Sequence, residues 1–523
     1  MTTMFPSGSP RVRRDFFFLV MVFAGATAPA QAQFVARSND TLMLSGKPFY
    51  SLGANAYYLL EQAARNDTTT VNALFAAASG TGMTVVRTWG FFDSSDSANQ
   101  AVIQFRPGAF NEHALRALDF VVYKARLHGV RLLIPFVNSW DDYGGMNQYV
   151  RWRSEIPADE KAARYSEADR ERRVAGDERR SYRYALTANW GHDDFYADPT
   201  IRSWFKFYVA AILNRINTYT NIAYKDEPAI FGWELANEPR SSDFSALLVS
   251  RWISEMSDFV KSIDANHLLG TGEEGFDVSA RMYSSGAYNN QSWLFNGSMG
   301  TSFTANSSVT AIDFGSCHLY PESWNVSVNA GNVWIRDHVR IARAIRKPLV
   351  LGEFAVRVQK RATYASWLTT VLLDGAAGAA VWQLLEGPRT DHEGYGFRCS
   401  TDAQLCTSLQ EAADKFKAKS INISLPIPSG FSLSQNFPNP FNDLTTISYS
   451  LPFESHVELA VFNTAGQRVT TIVDGIQSAG VRSELLDVKD LASGVYFYRF
   501  TGSRSDEHLN HLFVAAKKLV LVR

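Results

Sequence analysis

The sequence predicts an α/β protein: a (β/α)8 TIM barrel followed by a small all-β sandwich resembling an immunoglobulin domain. Three observations carry that prediction. Eight short apolar runs alternate with longer amphipathic stretches, and strand–helix alternation of this kind implies parallel strands. After residue 420 the pattern changes to short alternating strands separated by Gly, Asn and Asp turns. The length of 523 residues exceeds what one hydrophobic core organises. An open doubly wound sheet is the competing arrangement, but no G-x-G-x-x-G follows any of the eight runs, which removes its usual ligand argument.

The first segment, residues 1–32, reads as a secretory signal. Arg11, Arg13 and Arg14 precede an apolar run from Phe16 to Gly25, and Ala30-Gln31-Ala32 supplies the small-x-small pattern that signal peptidases accept. Ten residues rising about 1.5 Å each do not cross a hydrocarbon core of roughly 30 Å. Arg13-Arg14-Asp15-Phe16-Phe17 resembles a twin-arginine signal, while the same basic region serves the general export route equally well. No later stretch reaches 18 uninterrupted apolar residues, so no stable membrane span is expected in the mature protein.

The barrel is expected over 33–420, with strands at 48–55, 84–90, 131–138, 230–239, 268–276, 311–321, 348–354 and 379–386. Between them lie segments such as 113–129, whose apolar residues recur at three- and four-residue steps, as a helix covering a sheet requires. Residues 151–180 hold 9 basic and 8 acidic side chains, the signature of a solvated helical insertion in which the signs cancel. INISLPIPSG (421–430) reads as a linker, and the sandwich is expected over 431–523, with strands such as 456–462 and 494–500.

Composition narrows the partners. Lys plus Arg number 51 against 52 for Asp plus Glu, so no global field recruits nucleic acid or an anionic membrane. Twelve Trp, 21 Tyr and 35 Phe exceed what a core needs, and flat aromatic faces in a cleft suit weakly charged rings such as sugars. Three cysteines permit at most one intramolecular disulfide, for which Cys399 and Cys406 are the close pair in an oxidising compartment. Cys317 sits in an apolar run and reads as an inert buried thiol.

In a (β/α)8 barrel the chemistry sits at the carboxyl ends of the strands. The second strand ends with Arg87 and Trp89, the third with Asn138 and Trp140, the fourth with Asn237 and Glu238, and the fifth with Glu273 and Glu274. His318 and Tyr320 end the sixth strand, Glu353 the seventh and Trp382 the eighth. Any one of these serves equally well as a helix cap, but Glu238 and Glu353 together are harder to explain structurally. Strands four and seven aim both across one barrel mouth. Paired carboxylates do glycosidic chemistry: one protonates the departing oxygen while the other attacks the anomeric carbon or activates water. Arg87 and Tyr320 can keep Glu353 ionised, by charge and by hydrogen bonding, and Asn237 can hold a sugar 2-hydroxyl.

These motifs carry a resemblance. GWELANEPR (232–240) resembles the Asn-Glu-Pro signature of the clan of retaining glycosidases on (β/α)8 barrels, and PLVLGEF (348–354) its nucleophile strand. The resemblance implies Glu238 as acid/base and Glu353 as nucleophile. DFGSCHLYPESW (313–324) resembles the His-x-Tyr segment of glycoside hydrolase family 5, whose active-site set Arg87, Asn237, His318, Tyr320 and Trp382 then match. NSWDDYGGMNQYVRW (138–152), residues 193–240 and GEEGF (272–276), which contains Glu274, resemble the endo-β-1,4-mannanase branch. Many family members carry His where Asn138 stands, a departure that weakens a cellulase reading more than a mannanase one. The expectation is a secreted retaining endo-glycosidase cutting β-1,4-mannans. The alternatives are an endo-β-1,4-glucanase and a surface glycan-binding protein without turnover.

Trp140, Trp324 and Trp382 are candidates for sugar stacking, whereas Trp233 reads as core. His192 has no second His at ligand spacing, so neither a metal nor a cofactor is expected. FSLSQNFPNPFN (431–442), VFNTAGQRV (461–469), LASGVYFYRF (491–500) and KKLVLVR (517–523) resemble the type A carboxyl-terminal sorting domain of the type IX secretion system. That resemblance implies the type IX machinery as a partner and a secreted or surface-attached enzyme of a Gram-negative bacterium. A carbohydrate-binding sandwich competes, but the region contains no Trp.

Overall fold

The computed structural model describes residues 34–155, 191–288, 291–421, 428–442, 444–488, 491–504 and 513–522. Residues 1–32, read above as a secretory signal, most of 151–180 and most of 421–430, read as a linker, lie outside the described residues.

Eight parallel strands form the barrel: β1 (Ser51–Asn55), β2 (Val85–Arg87), β3 (Arg131–Pro135), β4 (Ile230–Glu234), β5 (Leu268–Gly270), β6 (Gly315–Leu319), β7 (Leu349–Phe354) and β8 (Gly378–Val381). Each pairs with its neighbour in chain order, β8 pairs back onto β1, and a parallel bridge between Gly270 and Phe314 closes the ring between β5 and β6. The strands are shorter than their apolar runs because only the paired stretch is sheet. The candidate functional residues lie at the carboxyl ends of the strands and just past them: Arg87, His318 and Glu353 within strands, and Asn237, Glu238, Tyr320 and Trp382 in the loops that follow.

The helices that cover the barrel are α1 (Thr68–Gly80), α2 (Glu112–Leu127), α3 (Pro199–Leu213), α4 (Leu247–Ile263), α5 (Ala330–Ala344), α6 (Lys360–Asp374) and α7 (Ala403–Ser420). Their starts are written locally. Asp67 accepts a hydrogen bond from Thr70 N, and Asp198 accepts one from Ile201 N with Pro199 in the first turn, where its missing N–H leaves no donor unpaired. The base of the barrel is plugged: Leu42, from an antiparallel segment spanning 36–48, and Phe49, just after it, pack with Val85, Leu133, Phe231, Leu268, Phe314 and Val350.

The carboxyl-terminal strands are β9 (Ser432–Leu433), β10 (Leu444–Leu451), β11 (Ser455–Phe462), β12 (Arg468–Gln477), β13 (Gly480–Asp487), β14 (Gly494–Arg504) and β15 (Phe513–Leu521). They form two antiparallel sheets, β9–β10–β13 and β12–β11–β14–β15, around a core that includes Ile447, Val457, Leu459, Tyr498, Phe500 and Leu519. The sandwich is docked on the barrel, a contact that no sequence pattern announces. Arg482 of β13 donates to both oxygens of Asp374 at 2.7 and 3.1 Å. Glu484 accepts from Arg336 at 3.0 Å and from Asn332 at 2.7 Å, both on α5. Leu444 and Leu485 belong to the same apolar cluster as the barrel helices. No described helix is long and apolar enough to cross a membrane.

Candidate active site

The last residue of β2, Arg87, organises the mouth. Its guanidinium is buried and each of its nitrogens is held: Nε donates to Glu234 Oε2 at 2.7 Å, Nη1 to Glu353 Oε1 at 2.6 Å and to Asn55 Oδ1 at 3.3 Å, and Nη2 to Asn237 Oδ1 at 2.8 Å. Glu353 lies within β7, where the β6–β7 register sets His318 opposite it across a bulge at Cys317/His318. Gly352 makes that approach possible, since a Cβ there would sit 3.1 Å from His318 Nε2. Tyr320, one residue past β6, donates its hydroxyl to Glu353 Oε2.

Glu238 stands four residues beyond β4, yet its backbone is clamped. Asn237 N donates to Val137 O at 2.7 Å, Ser139 N to Asn237 O at 3.0 Å, and Glu238 N to Gly272 O at 2.8 Å. Gly272, with φ +74°, must be glycine, because a Cβ would fall 1.9 Å from Ala236 O. Glu238 itself has φ +51°, the left-handed region that non-glycine residues avoid, and the surrounding bonds hold it there. Asn138 is buried and supports Asn237, accepting its side-chain amide at 3.0 Å.

The arrangement brings one oxygen each of Glu238 and Glu353 and a ring nitrogen of His318 within 4.8 Å of one another. Two carboxyls this close do not both ionise readily. Burial pushes both upward from the ordinary carboxylate range. Their neighbours separate them. Glu353 contacts the Arg87 guanidinium and the Tyr320 hydroxyl directly, whereas Glu238 accepts the Trp140 indole N–H at 2.6 Å and shares a hydrogen bond of 2.7 Å with His318 Nδ1. Burial lowers His318, against the raising effect of the Glu353 carboxylate. Arg87 and Tyr320 favour the charged form of Glu353, while Arg240 and the Trp140 indole N–H favour that of Glu238.

Aromatic side chains stand on both sides. Trp382, one residue past β8, stacks parallel on Tyr57 at 5.4 Å, and its N–H reaches Glu393 Oε2 at 3.3 Å. Trp89 is buried behind Tyr57 at 4.8 Å and supports it. Across the mouth Trp140 is 43% exposed and carries the Arg240 guanidinium over its ring at 4.9 Å. Arg240 also holds both oxygens of Glu274 at 2.6 Å, and burial followed by the Glu238 charge pushes Glu274 up to about 7.

Trp324 corrects the sequence reading. It is 7% exposed and packs against Phe276 at 5.3 Å and Trp334 at 5.0 Å, so it is core and has no free face for a sugar. It lies four residues beyond Tyr320, where the chain has already turned away from the mouth. Trp233 donates to Asp264 at 2.8 Å on the helix side of β4. His192 bonds Ser139, Cys317 is buried with its thiol pushed up by burial, and Cys399 and Cys406 form a disulfide between the loop after β8 and α7.

Asn55, Glu234, Arg240 and Tyr57 join the site without having been singled out from sequence. The signal for two of them was available: Asn55 ends the first strand, and Glu234 is a lone charge inside an apolar run, next to an outward-turned Trp233.

Residues 32–375 match the family model described as GH family 5 beta-mannosidase-like, and residues 435–514 match the secretion system C-terminal sorting domain. Mannan endo-1,4-beta-mannosidase 2 of Oryza sativa subsp. japonica is 35% identical over 418 residues, covering 76% of this chain and 86% of the rice protein. Mannan endo-1,4-beta-mannosidase 3 of Arabidopsis thaliana is 34% identical over 385 residues, covering 69% and 84%. Among solved structures, the endo-beta-1,4-mannanase from Thermotoga petrophila matches with a TM-score of 0.63 at 27% identity, over 92% of this chain and 99% of that one. The endo-1,4-beta-mannanase from Rhizomucor miehei gives 0.61 at 32%, over 74% and 99%. With the family model spanning more than half the chain and the barrel mouth built around Arg87, Glu238 and Glu353, the protein belongs to glycoside hydrolase family 5, among its β-mannosidase-like members, and is a glycoside hydrolase with a carboxyl-terminal sorting domain.

Proposed function

We propose that this enzyme hydrolyses internal β-1,4-mannosidic bonds of mannan, glucomannan or galactomannan with retention of configuration, using Glu353 as nucleophile and Glu238 as acid/base. The separation of the two carboxyls carries the proposal. An oxygen of one lies within 4.8 Å of an oxygen of the other, which supports the short carboxyl separation of about 5–5.5 Å that covalent retention uses over the about 6.5–9.5 Å that makes room for water in inversion. A Glu353 oxygen attacks the anomeric carbon as the glycosidic C–O bond breaks, and the Glu238 proton passes to the leaving oxygen. Water then gives its proton to Glu238 and attacks the same carbon, which releases Glu353. Arg87 and Tyr320 hold the Glu353 oxygens for in-line attack, and Asn237, braced by Arg87 and Asn138, is aimed for the sugar 2-hydroxyl.

The mannan preference is supported by the relatives and solved neighbours, which are mannanases by name. The sorting-domain match supports delivery by the type IX secretion machinery to the outside of the cell or its surface. The experiment is Glu353→Ala assayed on mannan, glucomannan and carboxymethyl cellulose. The intact enzyme releases reducing sugar from the first two, the variant releases none, and azide restores turnover with an α-glycosyl azide as product. A β-configured azide, or more than trace activity without azide, overturns the assignment.

A further inference from the structure

The mechanism leaves Glu234, a buried carboxylate bonded to Arg87, without a role. Glu234 ends β4, is fully buried, and spends both carboxylate oxygens inside the barrel: Oε2 on Arg87 Nε at 2.7 Å and Oε1 on the Ser316 hydroxyl of β6 at 3.2 Å. A single buried cation thus stands between two carboxylates, Glu234 on one edge and Glu353 on the other. If neutralising Arg87 were all the fold required, Glu353 alone would suffice. A second carboxylate brings the trio to a net charge of −1 in a dry site, and a buried charge is retained against a substantial desolvation penalty.

The guanidinium geometry shows what Glu234 does. Arginine is a rigid planar fork, so fixing Nε fixes where Nη1 and Nη2 point. With Nε tied to Glu234, the other two nitrogens face Glu353 and Asn237. We propose that Glu234 is a positioning residue for the nucleophile: acting through Arg87, it aims the guanidinium at Glu353 and shares its positive charge, so that Glu353 stays ionised yet basic enough to attack. The inference rests on the assignment of Glu353 as nucleophile. The groups that act electrostatically on Glu353 are His318 from β6, Arg87 from β2, Glu238 from the loop after β4, and Tyr320 just past β6. Glu274 and Glu393 act one neighbour removed, through His318 and Glu238. Glu234 differs from both in being bonded to the same cation as the nucleophile.

Glu234→Gln keeps the side-chain shape and removes the charge. The whole of Arg87 then falls on Glu353, which becomes more acidic and less nucleophilic. Activity that is lost as pH falls through the Glu353 pKa is lost at lower pH, so the acid limb of kcat/KM moves down by about one unit, as one removed charge near a buried site implies. On an aryl mannobioside, formation of the glycosyl-enzyme slows about tenfold, while its hydrolysis speeds up because a less basic carboxylate leaves more readily. A merely structural role slows both half-reactions and leaves the limb in place. Glu234→Asp keeps the charge but withdraws it by one methylene; it moves the limb the same way by less than half as much, and it is the variant read if Glu234→Gln does not fold.

An unmoved acid limb in the folded variants, or a parallel slowing of both half-reactions, overturns the proposal. Labelling with 2-deoxy-2-fluoro-β-mannobiosyl fluoride and mapping the modified peptide keeps the two assignments apart. A label elsewhere than Glu353 overturns the nucleophile assignment and this inference with it, whereas a label on Glu353 with an unmoved limb overturns this inference alone.

Discussion

Replacing Arg482 with Met should loosen the sandwich from the barrel without touching the catalytic mouth. The Arg482 side chain is 1% exposed and its partner Asp374 10%, and the two share hydrogen bonds of 2.7 and 3.1 Å. The pair is too dry for solvent screening to discount it as a surface bridge. Met keeps the bulk and, among the described residues, leaves the Asp374 carboxylate with the Ser478 hydroxyl at 3.2 Å. Removing one partner of such a pair costs about 3–5 kcal/mol. The molecule can escape the full penalty by letting the sandwich lift away so that the carboxylate regains water, so the penalty appears as loss of docking. A loss of that size opens the interface roughly 10²- to nearly 10⁴-fold more often. Hydrogen exchange reads this directly, as faster exchange confined to β10, β13 and the outer turns of α5 and α6. A double-mutant cycle with Asp374→Asn should give a coupling energy of about 2 kcal/mol or more. Coupling near zero, or unchanged exchange in the Met variant, would refute the argument that this ion pair holds the domains together.

Glu238→Ala should slow hydrolysis of mannan far more than that of activated aryl mannosides, because a good leaving group does not need the proton; steady-state rates on the two substrates check this. The intact enzyme should show a bell-shaped profile, losing activity as pH falls and Glu353 takes a proton, and again as pH rises and Glu238 loses one. Trp140→Phe removes the indole N–H that stabilises the charged form of Glu238, so its pH profile should keep the acid limb and carry the alkaline limb upward. Deleting 428–523 should leave hydrolysis at 25 °C near that of the full chain, since Asp374 ends α6 at the barrel face opposite the mouth, but should lower the melting temperature by exposing α5 and α6. In the native host the same deletion should hold the enzyme inside the cell envelope, as cell fractionation would read.

Periodicity revealed the barrel because eight apolar runs separated by amphipathic helices admit few other solutions, and the rule that barrel chemistry lies past the strand ends then selected Arg87, Asn237, Glu238, His318, Tyr320, Glu353 and Trp382. The same rule fails when distance along the chain is taken for direction in space. Trp324 stands near a strand end in sequence, but by that point the loop after β6 has folded back and the indole packs on Phe276 and Trp334. An aromatic side chain carries no local mark that separates a stacking platform from a core filler. The docked sandwich was invisible for a related reason, since Arg482 and Glu484 alternate along β13 as surface residues do, and nothing in their spacing says that the surface is covered by α5 and α6.

Glu234 marks the other limit. A glutamate inside an apolar strand violates the pattern that identifies the strand, and violations of that kind concentrate where structure has been set aside for function. Its partner Arg87 is 147 residues away, so the pairing needs the closed sheet before it has meaning. What the sequence does expose is the anomaly itself: a charge that a fully buried strand has no packing reason to keep. The topology supplies the opposite charge: β2 and β4 flank β3 in the closed sheet, and that order brings Arg87, at the end of β2, to Glu234.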